Sequence, residues 1–285
     1  MGQTLGEALA QAAARIGRLD ARLLLQHVSG CRHTDLIAHP ERALAPEHGA
    51  TLEALVARRE AGEPLAYLVG KKEFLDLELA VSPAVLVPRP ETELLVELAQ
   101  DRAAGLARPR ILDLGTGSGA VALGLASRLK NARVTAVDAS AAALVVASSN
   151  AERLHLAVTF LEGDWYSPLA SGERFDLIVS NPPYIAAGDP HLDQGGLPFE
   201  PAMALTDGAD GLACIRSIVA GAGDHLLPGG WLLFEHGYDQ ADACRELLAG
   251  AGFQSVESWP DLAGIPRVSG GRWPLPEPIP PLATE

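Results

Sequence analysis

Two short stretches carry residue types that could do chemistry together. "DLGTGSGA" (113–120) places Gly115, Gly117 and Gly119 after one apolar run, and "SNPPYI" (180–185) places Asn181, Pro182, Pro183 and Tyr184 after another. Glycines between a strand and a helix let the backbone turn tightly and approach a ligand closely. Gly115, Gly117 and Ala120 satisfy the loose dinucleotide pattern G-x-G-x-x-G/A, but no Gly-Lys-Ser/Thr follows to hold a triphosphate. Asp138 ends the next apolar run, 23 residues after Gly115, where a carboxylate can accept hydrogen bonds from both ribose hydroxyls. Trp165 follows Asp164 at the end of a third run, and its indole can border an adenine ring. Asp113 stands two residues before Gly115, close enough to help hold an ammonium group. Acidic residues around such a pocket suit a cationic cofactor better than a pyrophosphate. S-adenosylmethionine, which carries a sulfonium and an ammonium, is the favoured ligand; a close-packed turn without a ligand is the plain alternative.

The Asn-Pro-Pro-Tyr tetrad poses a separate question, because proline cannot donate to a sheet ladder and ends the strand it follows. A planar conjugated NH₂ group, in an amide or an aromatic amine, is a poor nucleophile because its lone pair is delocalised. To accept a methyl group it needs two acceptors that hold its N–H bonds and aim the nitrogen at carbon. The Asn181 side-chain oxygen can take one hydrogen and the Pro182 carbonyl the other. Both also favour the positive charge that builds on nitrogen during attack. The prolines fix that backbone in advance, and Tyr184 offers a face for a flat acceptor. A plain Pro-Pro turn is the structural alternative. No general base is required, since a methylated cationic amide nitrogen loses its proton to water, and His236 in "FEHGYD" reads as a strand terminator.

These residues need a scaffold that brings two strand ends together. From residue 110 onward apolar runs alternate with helical periods, the pattern of an α/β fold with a parallel sheet covered on both faces. Strands are expected at 110–114, 133–138, 157–163, 175–180, 230–236, 252–259 and 266–273. Helices are expected at 118–130, 140–154, 209–226 and 239–250. Open sheets of this kind bind ligands beyond the carboxyl ends of their strands, at the switch point. Residues 1–70, punctuated by Gly30, Pro40, Pro46, Gly62 and Pro64, read as a small helical domain. Asp20 is a plausible cap before Leu23, Leu24, Leu25 and Val28, and a second apolar patch recurs at Leu52, Leu55 and Val56. Residues 71–89 read as a β-hairpin linker turning around Ser82-Pro83, 90–274 as the catalytic domain, and 275–285 as a proline-rich disordered tail. "PRPETE" (88–93) opens a helix with Pro90, Glu91 and Glu93 at its positive end. That segment either only starts the helix or also lines the cofactor pocket.

Composition narrows the partners. Over 285 residues, 48% are hydrophobic, enough for a substantial core, and the net charge is −14. Residues 1–90 hold 10 Lys+Arg against 11 Asp+Glu, and the remainder 12 against 25. Neither part offers the cations that displace counterions from phosphates, which argues against direct nucleic-acid binding. Cys31, Cys214 and Cys244 lie far apart with no CxxC or His/Cys ligand spacing, so no metal is expected and the thiols fit a reducing compartment. There is no signal-like start and no apolar run of membrane-spanning length. A monomeric cytoplasmic protein, without membrane contact, is the expectation.

With these residues in view, the sequence resembles the bacterial peptide chain release factor glutamine N5-methyltransferases (the HemK/PrmC family). The resemblance rests on "GEPLAYLVGKKEF" (62–74), "VPRPETELLVE" (87–97), "DLGTGSGA", "AVD" (136–138), "GDWYSPL" (163–169) and "SNPPYI", supported by "FEPAMAL" (199–205) and "LFEHG" (233–237). It implies a class I methyltransferase domain, Rossmann-like with a seven-stranded mostly parallel sheet, behind a small helical substrate-recognition domain. It implies S-adenosylmethionine as cofactor, bound by Gly115, Thr116, Gly117, Ser118, Gly119, Asp138, Trp165 and Asn181. It also implies that Asn181, Pro182, Pro183 and Tyr184 hold the glutamine amide of the Gly-Gly-Gln motif in class 1 release factors. "GIPRV" (264–268) departs from the family's pattern, where an Asp or Asn is expected before Arg267. Two other readings share the amide chemistry: glutamine methylation of a ribosomal protein, and DNA adenine N6-methylation. The charge balance disfavours the second.

Overall fold

Runs of five or six aliphatic residues with no helical period, each closed by glycine, proline or a polar side chain, form buried strands when helices cover both faces. The computed structural model of the chain describes residues 3–276. The expected tail lies outside the described residues from 277 onward, and Leu275 and Pro276 belong to no helix or strand.

The first seventy residues form five helices: α1 (Leu5–Ile16), α2 (Arg18–Ser29), α3 (His33–Ala38), α4 (Pro46–Glu60) and α5 (Leu65–Val69). A capping box starts α1. The Thr4 hydroxyl accepts from the Glu7 N–H, and the Glu7 carboxylate accepts from the Thr4 N–H. Leu5, Leu24, Leu25, Leu52, Val56 and Leu68 belong to a core of their own. Asp20 is not the cap expected of it. Gly17 holds that position, and Asp20 lies in the first turn of α2, where it accepts from Arg59 Nε of α4 at 2.6 Å.

A hairpin follows, β1 (Lys71–Phe74) and β2 (Leu77–Ala80). It turns at Leu75-Asp76, with Leu75 left-handed at φ 52°, and not around Ser82-Pro83. Pro83 and Pro88 lack the N–H groups that a second strand through Val85 and Val87 would need. Those valines instead pack with Tyr67 of α5, whose hydroxyl donates to the Val85 carbonyl at 2.5 Å.

The remaining elements are α6 (Thr92–Ala103), β3 (Arg110–Leu114), α7 (Ala120–Arg128), β4 (Arg133–Asp138), α8 (Ala141–Leu154), β5 (Val158–Glu162) and β6 (Phe175–Ser180). After three short 3₁₀ turns come α9 (Ala213–His225), β7 (Leu226–Glu235), α10 (Ala241–Gly250), β8 (Gln254–Pro260) and β9 (Pro266–Arg272). Seven strands make one sheet in the order β5-β4-β3-β6-β7-β9-β8. All are parallel except β9, which runs against both its neighbours. The strands and helices expected from residue 110 onward all occur. β7 starts four residues early, because Leu226 pairs with Phe175 before a register shift carries the strand past Pro228.

Alternate residues of each strand serve opposite faces. Ile111, Val134, Ala136, Leu177, Val179 and Leu233 pack in one core with Leu95, Val96 and Val121 of the helices. Leu112, Leu114, Ile178, Leu232 and Phe234 pack in the other with Ile215, Ile218, Cys244 and Leu248. The chain moves from β3 outward to β4 and β5, then crosses back to β6 on the other side of β3. Gly115 and Asn181 therefore emerge side by side at the switch point.

Candidate active site

The glycine loop is shaped by backbone that side chains resist. Gly115, Gly117 and Gly119 have φ of 74°, 55° and 84°, the left-handed region that glycine enters without penalty. The loop is then pinned. Asp138 Oδ2 accepts from the Gly117 N–H at 2.8 Å, and its Oδ1 accepts from the Ser140 N–H at 2.9 Å. Burial raises the Asp138 pKa against these two bonds. Each oxygen keeps a second lone-pair direction free.

Gly115, Thr116, Gly117, Ser118, Asp138, Trp165, Asn181 and Pro183 line a cavity of about 290 Å³. Trp165 holds a left-handed φ of 46°, and a Cβ added at Gly115 would project to 3.8 Å from its ring. Gly119, Asp113, Pro182 and Tyr184 are not among the lining residues. Asp113 is 1% exposed. It accepts from the Thr116 hydroxyl at 2.7 Å through Oδ2, and its Oδ1 has no partner. Burial pushes its pKa up to about 7.

The strand-end tetrad is held from several sides. Ser180 donates to the Leu114 carbonyl at 2.7 Å, tying β6 to β3 at their ends. The Ile185 N–H donates to the Leu205 carbonyl at 3.0 Å. Gln240 Nε2 donates to the Tyr184 carbonyl at 3.0 Å. Asn181 Nδ2 donates to Thr92 Oγ1 at 3.1 Å, while Asn181 Oδ1 and the Pro182 carbonyl accept no hydrogen bond from the described residues. The Tyr184 hydroxyl donates to Glu235 Oε1 at 3.1 Å, so burial and the Glu235 charge raise its pKa. His236 is fully buried between the Ser269 hydroxyl, 2.8 Å from Nε2, and the Gly237 carbonyl, 2.8 Å from Nδ1. Burial lowers its pKa. It follows the last residue of β7, as expected of a strand terminator, and does not line the cavity.

Several site residues carry no motif of their own. Ala84, Val85, Leu86 and Pro88 form one cavity wall, so the segment after the hairpin does more than connect. Met203, Ala204, Thr206 and Asp207 form another, and "FEPAMAL" was the sequence signal there. Thr92 of "PRPETE" lines the cavity and donates to the buried Glu235 at 2.7 Å. Of the two readings of that segment, helix start and cavity wall, both apply at this residue.

The arrangement fits a nucleoside with a cationic tail: two uncommitted lone pairs on Asp138, an indole wall, a glycine-rich loop and no lysine or arginine in the lining. Residues 90–195 match the family described as methyltransferase small domain, and residues 3–70 the PrmC N-terminal domain. The release factor glutamine methyltransferase of Bordetella pertussis is 55% identical over 89% of this chain and 94% of its own. That of Burkholderia pseudomallei is 54% identical over 92% and 94%. The chain belongs to the release factor glutamine methyltransferase family. The fold extends more widely. A Thermus thermophilus 16S rRNA N2 G1207 methyltransferase, solved with AdoMet and guanosine, superposes with a TM-score of 0.54 at 24% identity, covering 71% of this chain and 49% of that one. In this chain the Asn-Pro-Pro-Tyr tetrad, the loop glycines and the Asp138 carboxylate lie together at one switch point. Beside the "GIPRV" departure, Asp261 accepts from Arg267 Nε at 3.4 Å.

Proposed function

We propose that this protein transfers the methyl group of S-adenosylmethionine to the side-chain amide nitrogen of the Gly-Gly-Gln glutamine in class 1 peptide chain release factors. The observation that carries the reading is Asn181 at the cavity wall, with its NH₂ engaged by Thr92 and its oxygen unpaired. An acceptor held there suits an amide N–H and has nothing to accept from a thiolate nucleophile. The Pro182 carbonyl, also unpaired, supplies the second acceptor.

Bound in the cavity, S-adenosylmethionine would supply an electrophilic methyl carbon on a sulfonium, with the neutral thioether as leaving group. Asn181 and Pro182 hold the two amide hydrogens and orient the nitrogen lone pair. Their oxygens favour the charge that grows on nitrogen. One of those hydrogens then leaves as a proton to water, so no buried base is needed. Gly115 to Ser118 and Asp138 would hold the nucleoside and Trp165 would wall it, while Asp113 accepts from Thr116 of the loop. The membership of the family and the absence of cations from the lining support an uncharged protein acceptor over DNA.

The test is mass spectrometry of a class 1 release factor after incubation with the protein and S-adenosylmethionine. One added methyl on the Gly-Gly-Gln glutamine is expected. Methyl transfer to a ribosomal-protein glutamine, with the release factor untouched, would replace this substrate with the other.

A further inference from the structure

Resting on that reading, we infer that Thr92 and Glu235 are positioning residues for Asn181: the Glu235 carboxylate, acting through the Thr92 hydroxyl, keeps the Asn181 amide oxygen turned toward the acceptor nitrogen. The argument is a proton inventory. Glu235 is the last residue of β7 and is 1% exposed; Thr92 is the first residue of α6 and is 3% exposed. Thr92 Oγ1 lies 2.7 Å from Glu235 Oε2 and 3.1 Å from Asn181 Nδ2. An ionised carboxylate only accepts, so Thr92 spends its single hydrogen on Glu235. Toward Asn181 the hydroxyl can then only accept. The amide end nearest Thr92 must be NH₂, which leaves Oδ1 on the cavity side.

The other carboxylate oxygen takes the Tyr184 hydroxyl at 3.1 Å. One side chain thus holds two members of the strand-end tetrad, Tyr184 directly and Asn181 through one intermediary. Protonation would undo the logic. A Glu235 O–H can donate to Thr92, which frees the threonine hydrogen to face Asn181. The amide can then turn over and present NH₂ where an acceptor is required.

The groups facing Glu235 set where that happens. Burial pushes its pKa up to about 7, opposed by the Thr92 and Tyr184 hydroxyls and by Arg267 of β9, and reinforced by Glu91 at the start of α6. His236, its chain neighbour, is turned away to Ser269. A glutamine amide and a sulfonium do not titrate between pH 6 and 8. Asp113 is also pushed up to about 7, so the expected mark of Glu235 is an acid limb in kcat over that range, with turnover lost as pH falls, that Glu235→Gln abolishes.

The experiment compares the full-length wild type with Thr92→Val, Thr92→Ser and Glu235→Gln, using a class 1 release factor as substrate. It measures kcat, KM and calorimetric S-adenosylmethionine affinity, and kcat against pH. Thr92→Val should lower kcat roughly tenfold or more, on the scale of losing a preorganised polar contact, with cofactor affinity little changed. Thr92→Ser, which keeps the hydroxyl, should restore most of the loss. Glu235→Gln offers one acceptor where two are needed, and should lower kcat and abolish the acid limb. Near-wild-type turnover in Thr92→Val, or a serine variant as impaired as the valine, would overturn the inference while the proposed reaction stands. If Thr92→Val or Glu235→Gln fails to fold, the wild-type profile decides: no acid limb between pH 6 and 8 overturns it. A wild type that methylates no release factor overturns the inference and the proposed reaction together.

Discussion

At the scale of single residues, the site works by denying freedom to polar groups. Asp138 gives one lone pair on each oxygen to the Gly117 and Ser140 N–H groups and leaves one on each uncommitted. Asn181 gives its donor to Thr92 and keeps its acceptor. Asn181→Ala removes that acceptor without touching the loop. Methyl transfer should fall by about 10²–10³, the cost of losing one preorganised group in comparable sites, while calorimetry still detects cofactor binding. A variant that turns over normally would remove Asn181 from the chemistry.

At the scale of elements, buried side chains tie the linker to the loop. Asn150 of α8 is fully buried. Its Oδ1 accepts from the Ala80 N–H at 2.7 Å, and its Nδ2 donates to the carbonyls of Ala80 at 2.9 Å and Ser118 at 3.0 Å. Glu93 accepts from the Leu75 N–H at 2.9 Å at the hairpin turn. Glu200 takes the Val87 N–H at 2.9 Å and Arg89 at 2.5 Å. Asn150→Ala would strand two or three backbone groups, at about 1–3 kcal/mol each. The thermal midpoint should drop by several degrees, at roughly 2–4 °C per kcal/mol for a chain of this size. An unchanged melting curve would mean that the Ala80 and Ser118 groups find other partners.

These ties also explain what could be read from the sequence alone. The strands β3, β4 and β6 were legible to the residue, because a buried parallel strand is a local composition signal ended by glycine, aspartate or Asn-Pro. Gly115, Gly117, Asn181 and Pro183 were legible as cavity residues, from a glycine turn and an Asn-Pro-Pro strand end, whereas Gly119, Pro182 and Tyr184 do not line the cavity. The hairpin turn was misplaced, since Ser82-Pro83 carries the stronger local turn signal and Leu75 adopts φ 52° only in its tertiary setting. Thr92, Glu235 and Asn150 were not legible as partners. Their bonds span 143, 89 and 70 positions of chain, and no local pattern reports such a pairing.

At the scale of the whole molecule, two buried carboxyls far from each other in sequence are both pushed up to about 7, Asp113 and Glu235. Between the ordinary carboxylate range and about 7, the folded protein holds protons there that the unfolded chain has lost. Stability from these groups is therefore present at low pH and is lost as pH rises through 7. His236, whose pKa burial lowers, works the other way below about 6.5. The ligand-free protein should melt at a lower temperature at pH 8 than at pH 6.5. Asp113→Asn should flatten that slope, and an unaltered slope would show that Asp113 does not titrate there.

The tryptophans are unevenly placed. Trp231 and Trp259 lie under the Arg102 guanidinium, 4.5 and 5.2 Å from it, and Trp273 meets Phe253 edge-on. Among the described residues, Trp165 alone of the four indoles borders the cavity. The protein thus carries a native optical reporter: adding S-adenosylmethionine should change its intrinsic emission in a saturable way, and Trp165→Phe should silence most of that signal. Occupancy could then be followed by stopped flow in unlabelled protein, separating ligand arrival from turnover.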